Sequence, residues 1–287
     1  MATKIEWTEA TWNPIIGCSK ISPGCENCYA EKMAGRLSNI VSTAHYLRVV
    51  EQNVSAPFVH RGLQIWNGQT HFVESALDKP LKRKKPTMYF VCSMGDLFHE
   101  SVPFEWIDKV MAVIAQTPQH TFQILTKRAD RMNKYFERSE YDFGYKITPN
   151  IWLGVTVENQ EQADKRIPIL LEIPAAIRFV SIEPMLGQIY LTDFENPFYN
   201  YIDKTENINS IDWVICGGET GTKARPMHPD WVRSLRDQCK ETNTPLFFKS
   251  WGEYAPFTHE KGFEMVKVGK KKSGNLIDGK QYRDFPK

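Results

Sequence analysis

Residues 151–183 read IWLGVTVENQEQADKRIPILLEIPAAIRFVSIE. Two compact runs, Ile151–Val157 and Ile177–Ile182, are rich in β-branched and aromatic residues and suit strands buried on both faces. Between them Ala163, Ile167 and Leu170 recur at helical spacing. Strand, helix, strand within thirty-odd residues is a βαβ unit, which implies parallel strands and a right-handed crossover.

The same rhythm extends outward. Thr87–Cys92 (TMYFVC), Thr121–Leu125 (TFQIL), Asp212–Cys216 (DWVIC) and Leu246–Lys249 (LFFK) are further strand candidates. Phe104, Ile107, Met111 and Ile114 form one more helical stripe, and Trp231, Leu235 and Cys239 another. Six or so βα units imply an α/β fold, a full or partial (β/α) TIM-like barrel with parallel strands. A doubly wound open sheet is the alternative. The barrel is expected over residues 1–251, with insertions at about 38–86 and 190–210, and a C-terminal extension or cap over 252–287. The chain has 287 residues, of which 41% are apolar, enough for a core without disulfides. The net charge of +2 neither demands nor excludes nucleic acid. No stretch reaches the apolar length of a membrane span, and the N-terminus lacks a signal-peptide core. A reducing cytoplasm is the expected setting, and there clustered cysteines favour metal or catalysis.

Cys18, Cys25 and Cys28 stand in one loop, Cys-x6-Cys-x2-Cys-Tyr, with Gly17, Pro23 and Gly24 to turn the chain and a helix able to start after Cys28. Three thiolates with no fourth cysteine nearby suggest a metal site that keeps one position open. A distant Cys or His could instead complete a structural zinc site, or the thiols could be unligated. Cys92, Cys216 and Cys239 end apolar strands or lie on a helix stripe and read as core.

Polar residues follow the strands: Ser93-Met94-Gly95-Asp96, Thr126-Lys127-Arg128, Glu158-Asn159, Glu183-Pro184, Gly217-Gly218-Glu219-Thr220 and Lys249-Ser250-Trp251. In a parallel barrel these positions share the rim where active sites are built. Asp96 and Glu158 could each be only a helix cap, and Gly217-Gly218 only a tight turn. Asp96, Glu158 and Glu183 could also serve as oxygen ligands in a metal-dependent hydrolase. Lys82–Lys85 and Lys270–Lys272 are phosphate-contact candidates or ordinary solvated loops, and Trp66, Tyr89, Trp106 and Trp251 are stacking candidates or core. Among the histidines, His99 alone stands beside a site segment.

The cysteine loop resembles that of the radical S-adenosylmethionine superfamily, in which three cysteines after the first barrel strand hold a [4Fe–4S] cluster. More closely, Thr11-Trp12-Asn13-Pro14, Gly17-Cys18, Pro23-Gly24-Cys25 and Cys28-Tyr29-Ala30 resemble an uncharacterised phage and bacterial three-Cys-motif family. The likeness continues through Ser93–Phe98, Leu125–Arg128, Gly154–Asn159, Ser181–Met185 and Gly217–Gly221. It departs from the commonest superfamily spacing, Cys-x3-Cys-x2-Cys, by a six-residue first gap and by Asn27 before the third cysteine. The resemblance implies that Cys18, Cys25 and Cys28 bind iron and that S-adenosylmethionine takes the remaining iron. It implies that Ser93, Gly95 and Asp96 meet the methionine end of that cofactor. Glu158 then meets the ribose, and Glu183, Gly217, Gly218 and Glu219 the adenine or the substrate. Lys127, Arg128 and Lys249 become candidates for an anionic substrate group. The implied reaction is reductive cleavage of the cofactor followed by hydrogen abstraction, which needs a flavodoxin- or ferredoxin-type reductant. The implied substrate class is a nucleic acid or nucleotide. A zinc-stapled binding module without catalysis is the competing reading.

Overall fold

Seven parallel strands form one sheet in the order β1-β4-β5-β6-β7-β8-β9 of a computed structural model describing residues 3, 5–38, 66–142, 149–192, 200–202, 210–260 and 262–287. They are β1 (Ala10–Trp12), β4 (Met88–Val91), β5 (Thr121–Thr126), β6 (Ile151–Thr156), β7 (Ile177–Ile182), β8 (Trp213–Cys216) and β9 (Leu246–Phe248). A short antiparallel pair, β2 (Ile15–Ile16) with β3 (His71–Phe72), lies outside this sheet. The order never reverses, so the sheet has no switch point of the doubly wound kind. It is the strand order of a partial (β/α) barrel. All six strand candidates are found, with ends shifted by a residue or two. β1 escaped the sequence reading because a three-residue strand has too few positions to show a period.

The chain forms two compact units, residues 1–4 with 8–124 and residues 5–7 with 125–287. In the first, Trp12, Tyr89 and Phe122 are fully buried. Helix α1 (Tyr29–Ser38) starts directly after Cys28, and α2 (Asp78–Lys82) lies within the expected insertion, of which residues 39–65 fall outside the described residues. Helix α3 (Phe104–Gln116) buries Ile107, Met111 and Ile114 of the predicted stripe, together with Val110 and Val113.

In the second unit, α4 (Ala129–Asp142), α5 (Gln160–Glu172) and α6 (Pro229–Glu241) connect successive strands. Asn159 caps α5, its side chain accepting from the Gln162 amide at 3.1 Å. Gly154 carries no side chain because the Phe179 ring fills that space, 2.6 Å from where a Cβ would stand. Trp7 joins this core against Phe179 and Trp213. The second expected insertion is described only in part, since residues 193–199 and 203–209 lie outside the described set.

The C-terminal stretch forms the hairpin β10 (Tyr254–His259) with β11 (Gly262–Lys267) and the shorter pair β12 (Leu276–Ile277) with β13 (Lys280–Gln281). Beyond them the chain returns antiparallel to β9, with Phe248 N–H donating to the Tyr282 carbonyl at 2.9 Å and Asp284 N–H to the Leu246 carbonyl at 3.1 Å. An edge strand left bare would offer unpaired backbone groups to another chain. Among the described residues no helix is long and apolar enough to cross a membrane.

Candidate metal centre and strand-end charges

The first unit stitches the cysteine loop to the segment after β4. Gly17 and Gly95 form a parallel bridge, and Gly17 N–H donates to the Met94 carbonyl at 3.0 Å. Tyr29 Oη donates to the Ser93 carbonyl at 3.1 Å. Asn13, in the Thr-Trp-Asn-Pro stretch, accepts from Ser93 Oγ at 3.1 Å and from the Met94 amide at 3.3 Å. Both glycines are required by space. A Cβ on Gly17 (φ +92°) would stand 2.2 Å from the Gln69 carbonyl oxygen, and one on Gly95 2.9 Å from the Gly17 carbonyl oxygen. Asp96 is buried and turns its own loop, Oδ1 accepting from the Phe98 amide at 2.9 Å, so it caps a turn rather than a helix.

Cys18 and Cys28 pack against one apolar cluster of Ile16, Ala30, Ala34, Trp66 and Met94. Cys25 is buried, with the Ser22 hydroxyl 3.7 Å from its sulfur. Burial pushes the Cys28 thiol up, the backbone N–H groups of Glu31 and Ala30 pull it down, and the charges of Cys25 and Glu31 push it up again. Cys28 directly precedes α1, whose first amides oppose that rise without cancelling it. Glu31 is buried nearby, held by Lys20 Nζ at 3.0 Å and the Trp66 amide at 2.7 Å. The donor chemistry fits an iron–sulfur cluster, because three thiols share one loop and two of them one apolar wall. The geometry is not preformed. Among the described residues no group of three or more His, Cys, Asp or Glu is arranged to hold a metal ion.

The second unit carries the remaining predicted residues, and there the charges are already paired. Glu158, wholly buried, receives Lys127 Nζ on Oε1 and Arg166 Nη1 on Oε2 at 3.0 Å. Arg166 also donates to the Thr156 carbonyl at 2.6 Å. Glu158 is therefore no helix cap, since Asn159 takes that role. Glu183 receives Lys249 Nζ on Oε1 at 2.8 Å, and Trp7 Nε1 on Oε2 at 3.1 Å. Its Oε1 would lie 2.9 Å from a Cβ on Gly217, so glycine there leaves room for the carboxylate. Glu219 takes a forked pair from Arg225, Nη2 at 2.6 Å and Nε at 2.9 Å, plus the Arg225 amide at 2.8 Å. Gly218 packs on backbone, with the Trp251 carbonyl oxygen 2.1 Å from where its Cβ would be. Arg128 is buried, its amide donating to Thr126 Oγ1 at 2.9 Å.

These pairings bear on the alternatives. A carboxylate whose two oxygens are both engaged by cations or N–H donors is a poor oxygen ligand for a divalent metal. Glu158 and Glu183 are both so engaged, which counts against the hydrolase reading. Arg166 and Arg225 were missed from sequence. A signal existed for Arg166, an arginine one residue from Ile167 on a buried helix face, which must have a partner. Nothing local announced Arg225 or Trp7. Cys92, Cys216 and Cys239 are buried, as expected of core thiols. The run Lys82–Lys85 is exposed and precedes β4, whereas the cysteine loop follows β1, so within this unit they lie at opposite strand ends. Lys270–Lys272 are exposed in the turn after β11, and that turn is tied to the end of β9 through Trp251 N–H to the Gly274 carbonyl at 3.2 Å.

Fold and residues together define a parallel βα protein with a thiol-bearing loop between the first two strands of its main sheet. The chain belongs to the family described as "Protein of unknown function (DUF5131)", whose model matches residues 2–286. No curated protein matches it. Among solved structures it is similar to a point mutant of spore photoproduct lyase, at 11% identity and a TM-score of 0.41, over 93% of this chain and 70% of that chain.

Proposed function

We propose that this chain is a radical S-adenosylmethionine enzyme in which Cys18, Cys25 and Cys28 hold a [4Fe–4S] cluster. The observation that carries the reading is the cysteine loop bridged, through Gly17 and Gly95, to Ser93–Asp96. The resemblance assigns those two segments to cluster and cofactor, and here they are hydrogen-bonded neighbours. When bound, the cluster and S-adenosylmethionine supply one-electron cleavage chemistry and hydrogen abstraction. The protein's own part is to hold the thiolates, to present Ser93, Gly95 and Asp96 to the methionine end, and to exclude water. Glu158, Glu183 and Gly217–Glu219 take the nucleoside and substrate side, and Lys127, Arg128 and Lys249 an anionic substrate group. Each of the paired charges among them must exchange its present partner to do so.

The proposed substrate class is a nucleic acid or nucleotide, and the proposed electron donor a flavodoxin or ferredoxin in a reducing cytoplasm. Residues 1–251 form the catalytic barrel on this reading, and 252–287 its extension. Of the two basic runs, Lys270–Lys272 is favoured for phosphate contact because its turn is tied to the C-terminal end of β9. Kinship with the phage and bacterial three-Cys-motif proteins is part of the same proposal, and it rests on the sequence blocks alone.

The test is anaerobic reconstitution with iron and sulfide. About four irons per chain, an S = 1/2 signal on reduction and release of 5′-deoxyadenosine from S-adenosylmethionine are expected. Uptake of one zinc, with no cluster and no cofactor cleavage, overturns the proposal in favour of the zinc-stapled module.

A further inference from the structure

His99 is 3% exposed and belongs to the turn that follows Asp96, its amide donating to the Asp96 carbonyl at 3.2 Å. Its ring is held at both nitrogens. The Ser101 amide donates to Nδ1 at 3.1 Å, which makes Nδ1 an acceptor and places the ring proton on Nε2. Ser101 Oγ lies 2.8 Å from Nδ1 as well, and Thr70 Oγ1 braces that hydroxyl at 2.7 Å. Nε2–H then donates to Ser19 Oγ at 2.8 Å, with the more exposed Glu100 carboxylate 3.7 Å away. Ser19 follows Cys18 directly, and its carbonyl accepts from the Cys18 thiol at 3.4 Å. The buried imidazole therefore ties the residue beside the first cysteine to the Asp96–Ser101 turn. Gly17, immediately before Cys18, admits no side chain and anchors the loop through its backbone, bridged to Gly95.

We propose that His99, as the neutral Nε2–H tautomer, is a positioning residue that fixes the Cys18 end of the cysteine loop through Ser19. The consequence for metal binding rests on the reading of Cys18, Cys25 and Cys28 as cluster ligands. The loop-fixing role does not. A side chain that sets a ligand's direction without touching the metal acts on metal retention more than on the global fold.

The experiment uses the full-length chain, metal-free and after anaerobic reconstitution, as wild type, Ser19→Ala, His99→Leu, His99→Gln and the Ser19→Ala/His99→Leu double variant. Hydrogen exchange of the metal-free protein reads the loop itself. Exchange of the amides around residues 17–20 is expected to quicken about tenfold in Ser19→Ala and in His99→Leu. The double variant should add nothing to His99→Leu, because that change already removes the one bond Ser19→Ala breaks. His99→Gln, which keeps an N–H donor, should restore most of the protection. In reconstituted protein the same variants should lose iron to a chelator faster, in the same order. Unchanged exchange in Ser19→Ala, whose small surface-side change threatens the fold least, overturns the positioning role, as does additivity in the double variant. If exchange responds as expected but wild type never takes up iron, the loop role of His99 stands and the cluster reading fails.

Discussion

Glu158 is wholly buried with a lysine on one oxygen and an arginine on the other, so its charge depends on residues 31 positions before and eight after it. Removing one partner of such a set leaves a buried charge short of compensation, which costs about 3 kcal/mol or more. Arg166→Leu is expected to lower the urea-unfolding free energy by about that amount, and Arg166→Leu with Glu158→Leu to recover much of it. A full additive loss in the double variant would mean the ion pair contributes nothing. The core thiols give a second test. Burial pushes Cys239 up to about 12, and it holds Cys92 and Cys216 well above the ordinary thiol range. Of six cysteines, these three should stay silent to a thiol reagent at pH 8 until the protein is denatured. The sign for stability follows from the same shifts. The unfolded thiols ionise near pH 9 while the folded ones cannot, so stability is intact below pH 9 and falls above it. Cys239 alone contributes about 1 kcal/mol per pH unit toward 12. An unfolding free energy flat from pH 9 to pH 10.5 would contradict this.

At the scale of elements, the βα units were legible because each strand is a short apolar run and each connecting helix shows its stripe. Ile151–Thr156, α5 and Ile177–Ile182 fall where the sequence put them. What could not be read was partnership. Lys127, Glu158, Glu183 and Lys249 were visible as strand-end charges, but nothing in a linear pattern tells an unpaired cation from one already bound to a carboxylate far along the chain. The cysteine loop is a related case, since its three thiols were obvious and His99 stood out beside a site segment, while the bonds that Asn13, Ser19 and His99 make to anchor the loop were not legible. Gly17 makes the loop testable as an element. A methyl there would meet the Gln69 carbonyl oxygen at 2.2 Å and would also need φ near +92°. Gly17→Ala is expected to lose most of its iron uptake while far-ultraviolet circular dichroism shows the βα secondary structure intact. Normal uptake in that variant would mean the loop need not keep its present path to bind metal.

For the whole molecule, a small net charge of +2 leaves no global field to draw in a polyanion, so a nucleic-acid substrate, as proposed, would have to be recognised by local groups. On the proposed cluster reading, stability too is set locally, since metal held by the thiol loop would be coupled to the fold. Metal that binds the folded chain and not the unfolded one raises its melting temperature by mass action. For a chain of this size each 1 kcal/mol is worth about 2 °C. The anaerobically reconstituted protein should therefore melt several degrees above the metal-free protein. Changing Cys18, Cys25 or Cys28 to Ala should abolish that increment while leaving the metal-free melting temperature within about 2 °C of wild type, because each loses a single sulfur, Cys18 and Cys28 are only partly buried, and Cys25 stands in a short turn. Cys239→Ala should do the reverse, lowering both melting temperatures together and keeping the gap between them. Calorimetry of the four variants with and without iron separates the outcomes, and an increment that survives each of the three loop-cysteine changes would place the metal elsewhere in the molecule.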